Sequence, residues 1–153
     1  MSSPAQQFTG EIRVPRFADY ALMAKLAGQL GYPASAEDIA RRLAGMQESA
    51  EHAVFVAELP GGEIVGWIGV FLYRCIETDA RAEVSGLVVD ERARSQGIGQ
   101  RLLERAEQWA RKKRCDTIGL RSNVIRNRAH AFYERQGYVH HKTQKSFRKV
   151  LKP

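Results

Sequence analysis

The sequence predicts a mixed α/β fold in which helices pack against one sheet. Strand-like and helix-like segments follow one another in the order β-α-α-β-β-β-α-β-α-β-β, and a glycine-bearing turn joins an apolar strand to an amphipathic helix. With 44% hydrophobic and 27% charged residues, the composition is that of a globular protein rather than a disordered one. The chain has 153 residues, so we expect a single domain over residues 1–153.

The first sixty residues predict a strand followed by two helices. Residues 11–14 alternate as a short strand, and apolar residues recur at helical spacing over residues 20–30. Ser35 and Asp38 form the pattern of a capping box for a second helix that reaches about residue 46.

The middle of the chain predicts a hairpin and then a strand-helix-strand unit. Strands at residues 52–59 and 63–73 flank a Pro-Gly-Gly turn. A third strand covers residues 82–89, and we expect it to run parallel to one at residues 117–122 because a helix connects them. The remaining pattern predicts a helix at residues 128–135 and two last strands within residues 138–151.

The charge balance indicates an anionic partner. Lys and Arg number 24 against 17 Asp and Glu, and both nucleic acid and a polyphosphate compound would suit that excess. The dense basic cluster at residues 111–114 ends a predicted helix, where it serves either as a solvated helix end or as an anion contact. Basic residues are not interleaved with aromatic ones along the chain, so we do not expect nucleic acid as the partner.

Neither a membrane span nor a metal site is expected. No apolar run approaches the roughly 20 residues that a membrane helix needs, and the first ten residues lack a signal-peptide pattern, which predicts a cytoplasmic protein. Cys75 and Cys115 lie far apart without a paired Cys or His spacing, so we predict neither a disulfide framework nor a zinc site.

The turn after the third strand predicts a phosphate site. We call it the phosphate turn; it consists of Arg94, Ser95, Gln96, Gly97, Ile98 and Gly99. Unpaired N–H groups at a helix N-terminus attract anions, glycines let a bulky anion approach the backbone, and an arginine adds a positive charge. The alternative is that the two glycines only shape a tight strand-to-helix connection.

Two other phosphate motifs do not fit this turn. A Walker A loop requires Lys and then Ser or Thr after its last glycine, whereas Gln100 and Arg101 follow Gly99. A dinucleotide-binding turn requires Gly or Ala where this chain has Leu102. NAD and P-loop nucleotides are therefore not expected.

Two motifs in this chain resemble those of the GCN5-related N-acetyltransferase (GNAT) family. Arg94, Gly97 and Gly99 match the family's Arg/Gln-x-x-Gly-x-Gly/Ala motif behind a strand. About thirty residues later, the stretch from Asn127 to Tyr138 is similar to a second motif of Asn, Ala, Phe-Tyr and Gly-Phe/Tyr. The resemblance implies a GNAT-like, mostly antiparallel sheet flanked by helices, with a βαβ core that binds acetyl-CoA.

The resemblance also implies roles for individual residues. The phosphate turn would hold the pyrophosphate of acetyl-CoA. The backbone of Leu87, Val88 and Val89 would pair with the pantetheine arm, which Asn127 would also bind, and an N–H near Val88 would meet the oxyanion. Tyr133 would donate a proton to the departing CoA thiolate. Gly86 would permit a bulge where the strands separate.

Acetyl transfer to an amine requires a base, because an alkylamine has a pKa of about 10.4 and is protonated at neutral pH. Glu83 is the carboxylate of the third strand, and it resembles the strand glutamate that several family members use through a water chain. Strict alternation would place Glu83 on one face with Ser85, Leu87 and Val89. The alternative is a solvated residue beside Arg81.

These patterns predict an enzyme that transfers the acetyl group of acetyl-CoA to a primary amine of a small molecule. A protein N-terminal or lysine acetyltransferase, and a non-catalytic acetyl-CoA-binding or nucleic-acid-binding domain, remain alternatives. The tail at residues 142–151, with residues 132–138 before it, loosely resembles aminoalkylphosphonate and aminoglycoside acetyltransferases. We expect the N-terminal helices and the loop at residues 74–81 to select the substrate. The family resemblance also implies a homodimer.

Overall fold

The computed structural model describes residues 7–153, which form two compact units, one up to Leu120 and the other Arg121–Pro153. Residues 1–6, part of the segment read for a signal-peptide pattern, lie outside the described residues. No helix within residues 7–153 is long and apolar enough to cross a membrane.

The first unit contains one sheet in which the strands follow their chain order. The strands are β1 (Glu11–Arg13), β2 (His52–Glu58), β3 (Ile64–Tyr73), β4 (Arg81–Val89) and β5 (Ile118–Leu120). Neighbours are antiparallel except β4 and β5, which are parallel. The mixed, mostly antiparallel sheet flanked by helices is confirmed, although β5 is shorter than expected.

Three helices cover the two faces of this sheet: α1 (Tyr20–Leu30), α2 (Ala36–Gln47) and α3 (Ile98–Lys112). On one face, the Trp67 indole N–H donates to the Met23 carbonyl of α1 at 3.2 Å. On the other face, a Cβ added at Gly66 would lie 3.1 Å from Leu102 of α3. Helix α1 ends at Gly31 with φ 98°, a left-handed conformation that suits glycine.

Local signals set the start of α2 as the sequence predicts. The Ser35 hydroxyl accepts from the Asp38 N–H at 3.1 Å, and the Asp38 carboxylate accepts from the Ser35 N–H at 3.1 Å. This capping box satisfies two N–H groups that the first helical turn leaves without partners.

A bulge in β4 changes which of its residues share a face. Gly69 of β3 pairs with Gly86, but the next residue, Val70, pairs with Val84, so Ser85 is the extra residue. The predicted distortion exists, one position before Gly86. Gly86 itself packs under an indole ring, since a Cβ there would lie 3.1 Å from Trp67.

The predicted face shared by Glu83 with Leu87 and Val89 is therefore wrong, whereas Ser85 does lie on the side of Glu83, since a Cβ at Gly69 would lie 2.5 Å from its hydroxyl. Glu83 pairs with Phe71 and Val88 pairs with Trp67, which puts Glu83 and Val88 on the face that α1 covers. Strict alternation fails because two residues of a bulged strand oppose one residue of its partner.

The second unit contains α4 (Asn127–Arg135), after which Gly137 has φ 89°. The two strands predicted within residues 138–151 are absent, because residues 138–153 contain neither helix nor strand. Val139, Phe147, Val150 and Leu151 are exposed by 77% or more. Strand propensity describes how a side chain fits a paired, half-buried surface, and this segment pairs with no strand of residues 7–153.

A buried ion pair connects β1 to the segment before α1. Arg13 donates to both carboxylate oxygens of Asp19, at 2.7 and 3.0 Å, and its Nε donates to Glu58 at 2.5 Å. The side chains of Arg13 and Asp19 are 9% and 7% exposed. Hydrogen bonding from Arg13 lowers the pKa of Asp19.

We expect Asp19→Asn to lower the free energy of unfolding at pH 7 by about 3 kcal/mol, because the buried Arg13 guanidinium loses one of its two carboxylate partners. The lowered pKa means that ionised Asp19 stabilises the fold fully above its unfolded pKa of about 3.9. That contribution is lost as the pH falls through the lower folded value.

Urea unfolding between pH 2 and 7 measures both effects. The wild type should lose this contribution at acid pH, and the gap to Asp19→Asn should close. Asp38→Asn, which changes a carboxylate in an exposed capping box, is the control and should cost about 1 kcal/mol or less. A gap that stays constant below pH 4 would contradict the assignment.

Candidate functional site

The sheet opens between β4 and β5. Their register covers only Ala82 with Ile118, Glu83 with Gly119 and Val84 with Leu120. Beyond Val84, no strand of residues 7–153 pairs with this edge of β4. Residues 87–89 therefore present backbone N–H and C=O groups that an extended ligand could pair with, as predicted for a pantetheine arm.

The phosphate turn has the backbone of an anion site. Ser95 and Gly97 have φ 65° and 80°, and Gly97 is the N-terminal cap residue of α3. No side chain caps this helix, so no side-chain oxygen accepts from its first N–H groups. A Cβ at Gly97 would meet nothing within 4 Å, which shows open space beside the turn. These features fit a pyrophosphate.

A backbone bond from the N-terminal segment orients the turn. The Phe8 N–H donates to the Gln96 carbonyl at 2.8 Å, and Phe8 is 4% exposed. In a trans peptide the carbonyl and the following N–H point in opposite directions. The Gly97 N–H therefore points away from the N-terminal segment. The sequence carries no signal for this contact, which joins residues far apart in the chain.

Of the charged residues just before and within the phosphate turn, Asp90 and Arg92 pair with each other, whereas Arg94 does not join an ion pair within residues 7–153. Asp90 is buried and accepts from the Arg92 N–H at 3.1 Å and from its guanidinium at 3.0 Å. The hydrogen bond from the Arg92 side chain lowers the pKa of Asp90. Arg94 is exposed and takes part in none of the ion pairs found within residues 7–153. Its guanidinium is therefore available to an anion.

Glu83 lies low in β4, just before the bulge. It is 9% exposed, and an Nη of Arg81 lies 3.4 Å from its Oε1. Arg81 also stacks over the Tyr73 ring, 4.2 Å from the centroid. The carboxylate therefore lies beside Arg81, as the alternative supposed, but it is buried rather than solvated.

The second unit carries the other two predicted site residues on α4. Asn127 is its exposed first residue, and Tyr133 is half-buried two turns later. The Tyr133 ring lies 5.3 Å from Phe132 and 6.0 Å from Tyr138, centroid to centroid. Burial raises the pKa of Tyr133, against a smaller lowering by Arg126, so its hydroxyl keeps its proton at neutral pH.

The structure also fixes the surroundings of His130 and Ser85, which the sequence does not indicate. His130 is engaged locally, because its ring Nε2 lies 2.9 Å from the Asn123 carbonyl. Ser85 is exposed although its strand neighbours Val84 and Gly86 are not. The sequence signal for the bulge at Ser85 is a polar residue that precedes a glycine inside an apolar strand.

Comparison with known proteins gives consistent matches. The sequence profile of the acetyltransferase (GNAT) family matches residues 20–138. An aminoglycoside N(6')-acetyltransferase type 1 from Stenotrophomonas maltophilia is 30% identical over 146 residues, which cover 93% of this chain and 94% of that protein.

A second relative matches over a shorter region. An aminoalkylphosphonate N-acetyltransferase from Salmonella typhimurium is 37% identical over 81 residues, so the match spans about half of each protein, 52% and 53%. Among solved structures, an aminoglycoside antibiotic 6'-N-acetyltransferase from Acinetobacter baumannii superposes with a TM-score of 0.81. It is 16% identical and covers 94% of this chain and 99% of that one, which shows a shared fold.

Proposed function

The chain belongs to the GNAT family of acetyltransferases, and from that premise we propose that it transfers the acetyl group of acetyl-CoA to the primary amine of a small molecule. The phosphate turn carries this proposal, because an uncapped helix N-terminus with two left-handed residues follows the free edge of β4 after one short 3-10 turn, Glu91–Ala93. One edge would hold the pantetheine arm, and the turn that follows it would hold the pyrophosphate.

The reaction would proceed by direct attack in a ternary complex. The neutral amine nitrogen forms a bond to the acetyl carbonyl carbon, and the carbon–sulfur bond of the thioester breaks. Glu83, directly or through water, would accept the proton that the ammonium loses before attack, and Tyr133 would donate a proton to the departing thiolate. The nitrogen, once bonded to carbon, would lose its second proton, which restores the Tyr133 hydroxyl. The products are the acetamide and free CoA.

A small-molecule acceptor is supported by the relatives, which are named as acetyltransferases of aminoglycosides and aminoalkylphosphonates. A protein N-terminal or lysine acetyltransferase is the alternative.

The homodimer and the cytoplasmic location stay predictions. Exposed apolar residues of the tail, such as Phe147 and Leu151, are surface that a second copy would bury.

Thiol release from acetyl-CoA tests the proposal. The purified protein is incubated with acetyl-CoA and either a panel of small primary amines or peptides that offer a free N-terminus or a lysine. We expect CoA release with the amines, and a matching acetamide by mass spectrometry. Acetylation of the peptides alone would favour the alternative, and calorimetry that finds no CoA binding would overturn the proposal.

We expect Glu83→Gln to lower kcat/KM for the amine by about a hundredfold and to remove the acid limb of its pH profile, because the amide cannot accept a proton. Steady-state rates between pH 6 and 10 measure both. Glu104→Gln, a carboxylate on the surface of α3, should leave the profile unchanged. If Glu83→Gln keeps the wild-type limb, Glu83 serves only as the partner of Arg81.

A further inference from the structure

A groove lies on the face of the sheet that α2 covers. Two adjoining cavities, each of about 210 Å³, form it, and both are lined by Met46 of α2 and by residues 52–54 of β2. One cavity extends to Val14 and Pro15 after β1. The other extends across β3 to the bulge of β4.

The groove ends where acetyl transfer is proposed to occur. The second cavity is lined by Gly69 and Ser85, the residues at the bulge. Gly69 leaves room for the Ser85 hydroxyl, since a Cβ at position 69 would lie 2.5 Å from that oxygen. Phe71 also lines this cavity, and its cross-strand partner is Glu83. The inner end of the groove therefore lies at the bulge of β4, on the face of the sheet that carries Glu83.

The lining of the groove is apolar and lacks formal charge. Its polar side chains are Gln47, His52 and Ser85, and none of the residues that line either cavity is Asp, Glu, Lys or Arg. The His52 ring stacks on Phe71 with centroids 5.9 Å apart and planes at 18°, which makes a flat aromatic wall. A polycationic sugar or a phosphonate would lose its hydration here without a charged partner.

The size of the groove limits what it can hold. A cavity of about 150 Å³ accommodates benzene, so each part of the groove has room for one ring or a short alkyl chain. An apolar pocket with a few convergent polar groups is the usual form of a small-molecule site.

We propose that the acceptor is a primary amine on a small apolar body, aliphatic or aromatic. Its body lies in the groove between Met46 and the His52–Phe71 wall, and its nitrogen faces Ser85. This inference rests on the proposed acetyltransferase function, and it narrows the acceptor to a class different from those in the names of the two relatives.

A homologous series of amines tests it. Initial rates of CoA release are measured with ethylamine, propylamine, butylamine and pentylamine. Burial of each added methylene should raise kcat/KM about fourfold. Phenylethylamine should be a good substrate, whereas kanamycin and 2-aminoethylphosphonate should be poor ones.

Variants of Met46 show whether the groove is responsible. Met46→Trp fills it and should flatten the series, while the KM for acetyl-CoA stays unchanged. Met46→Ala enlarges it and should extend the gain to longer chains. Ala44→Trp is the matched control, because it adds the same side chain at an exposed position of α2.

The outcomes separate this inference from the function on which it rests. A flat series in the wild type, or a preference for kanamycin or 2-aminoethylphosphonate, overturns the apolar acceptor and leaves the acetyltransferase proposal standing. A series that Met46→Trp does not alter assigns the acceptor to another surface. Failure to bind CoA, together with no acetylation of any amine, overturns both.

Discussion

Replacing Gly97 by valine is expected to raise the KM for acetyl-CoA at least about thirtyfold, since a β-branched residue in the left-handed region costs about 2 kcal/mol. Gly97 has φ 80° and open space where a Cβ would lie. The valine would strain the turn, and its methyl groups would occupy the space that we assign to the pyrophosphate. Steady-state kinetics with varied acetyl-CoA measure the change.

Two controls separate the site from general strain. Gly31→Val places the same side chain at φ 98° on the end of α1, so it should lower the melting temperature but leave the KM for acetyl-CoA near that of the wild type. Acetylpantetheine lacks the pyrophosphate, so Gly97→Val should change kcat/KM for this donor little. Equal losses with both donors would show that the turn does not read the pyrophosphate.

Tyr133→Phe is expected to lower kcat at least about tenfold, because it removes a proton donor for the thiolate. Burial raises the pKa of the Tyr133 hydroxyl, which therefore stays protonated across neutral pH. The loss should accordingly be uniform between about pH 6 and 9. The KM for acetyl-CoA should change little, because the ring remains in place.

Tyr138→Phe provides the comparison for this second substitution. Tyr138 packs edge-on against Tyr133 with ring centroids 6.0 Å apart, so the two variants remove hydroxyl groups from one aromatic cluster. We expect Tyr138→Phe to retain nearly all of kcat. A Tyr133→Phe enzyme with normal kcat and a raised KM would make Tyr133 a packing residue.

Much of the fold could be predicted because its signals are local. Gly31 ends α1, and Ser35 with Asp38 starts α2, through contacts that span three or four residues. The βαβ unit around Gly97 could likewise be predicted, since apolar periodicity identifies a strand and a helix and their connection requires parallel strands. The order of elements as far as α4 follows from such patterns.

The candidate site could be predicted only in part. Glu83, residues 87–89 and the phosphate turn fall within one short stretch, residues 83–99, so motif spacing placed them on β4 and around the start of α3. Their faces could not be predicted, because the Ser85 bulge depends on how β4 pairs with β3, and one extra residue reverses the alternation.

Contacts between distant residues account for the rest. The bond from Phe8 to Gln96, the Arg13 pair with Glu58, and the groove around Met46 and Ser85 arise from elements that the chain brings together only on folding. The strands expected within residues 138–151 failed for the same reason. Capping and periodicity act over a few residues and can be read from a sequence, whereas pairing, register and cavities depend on partners that only the folded chain supplies.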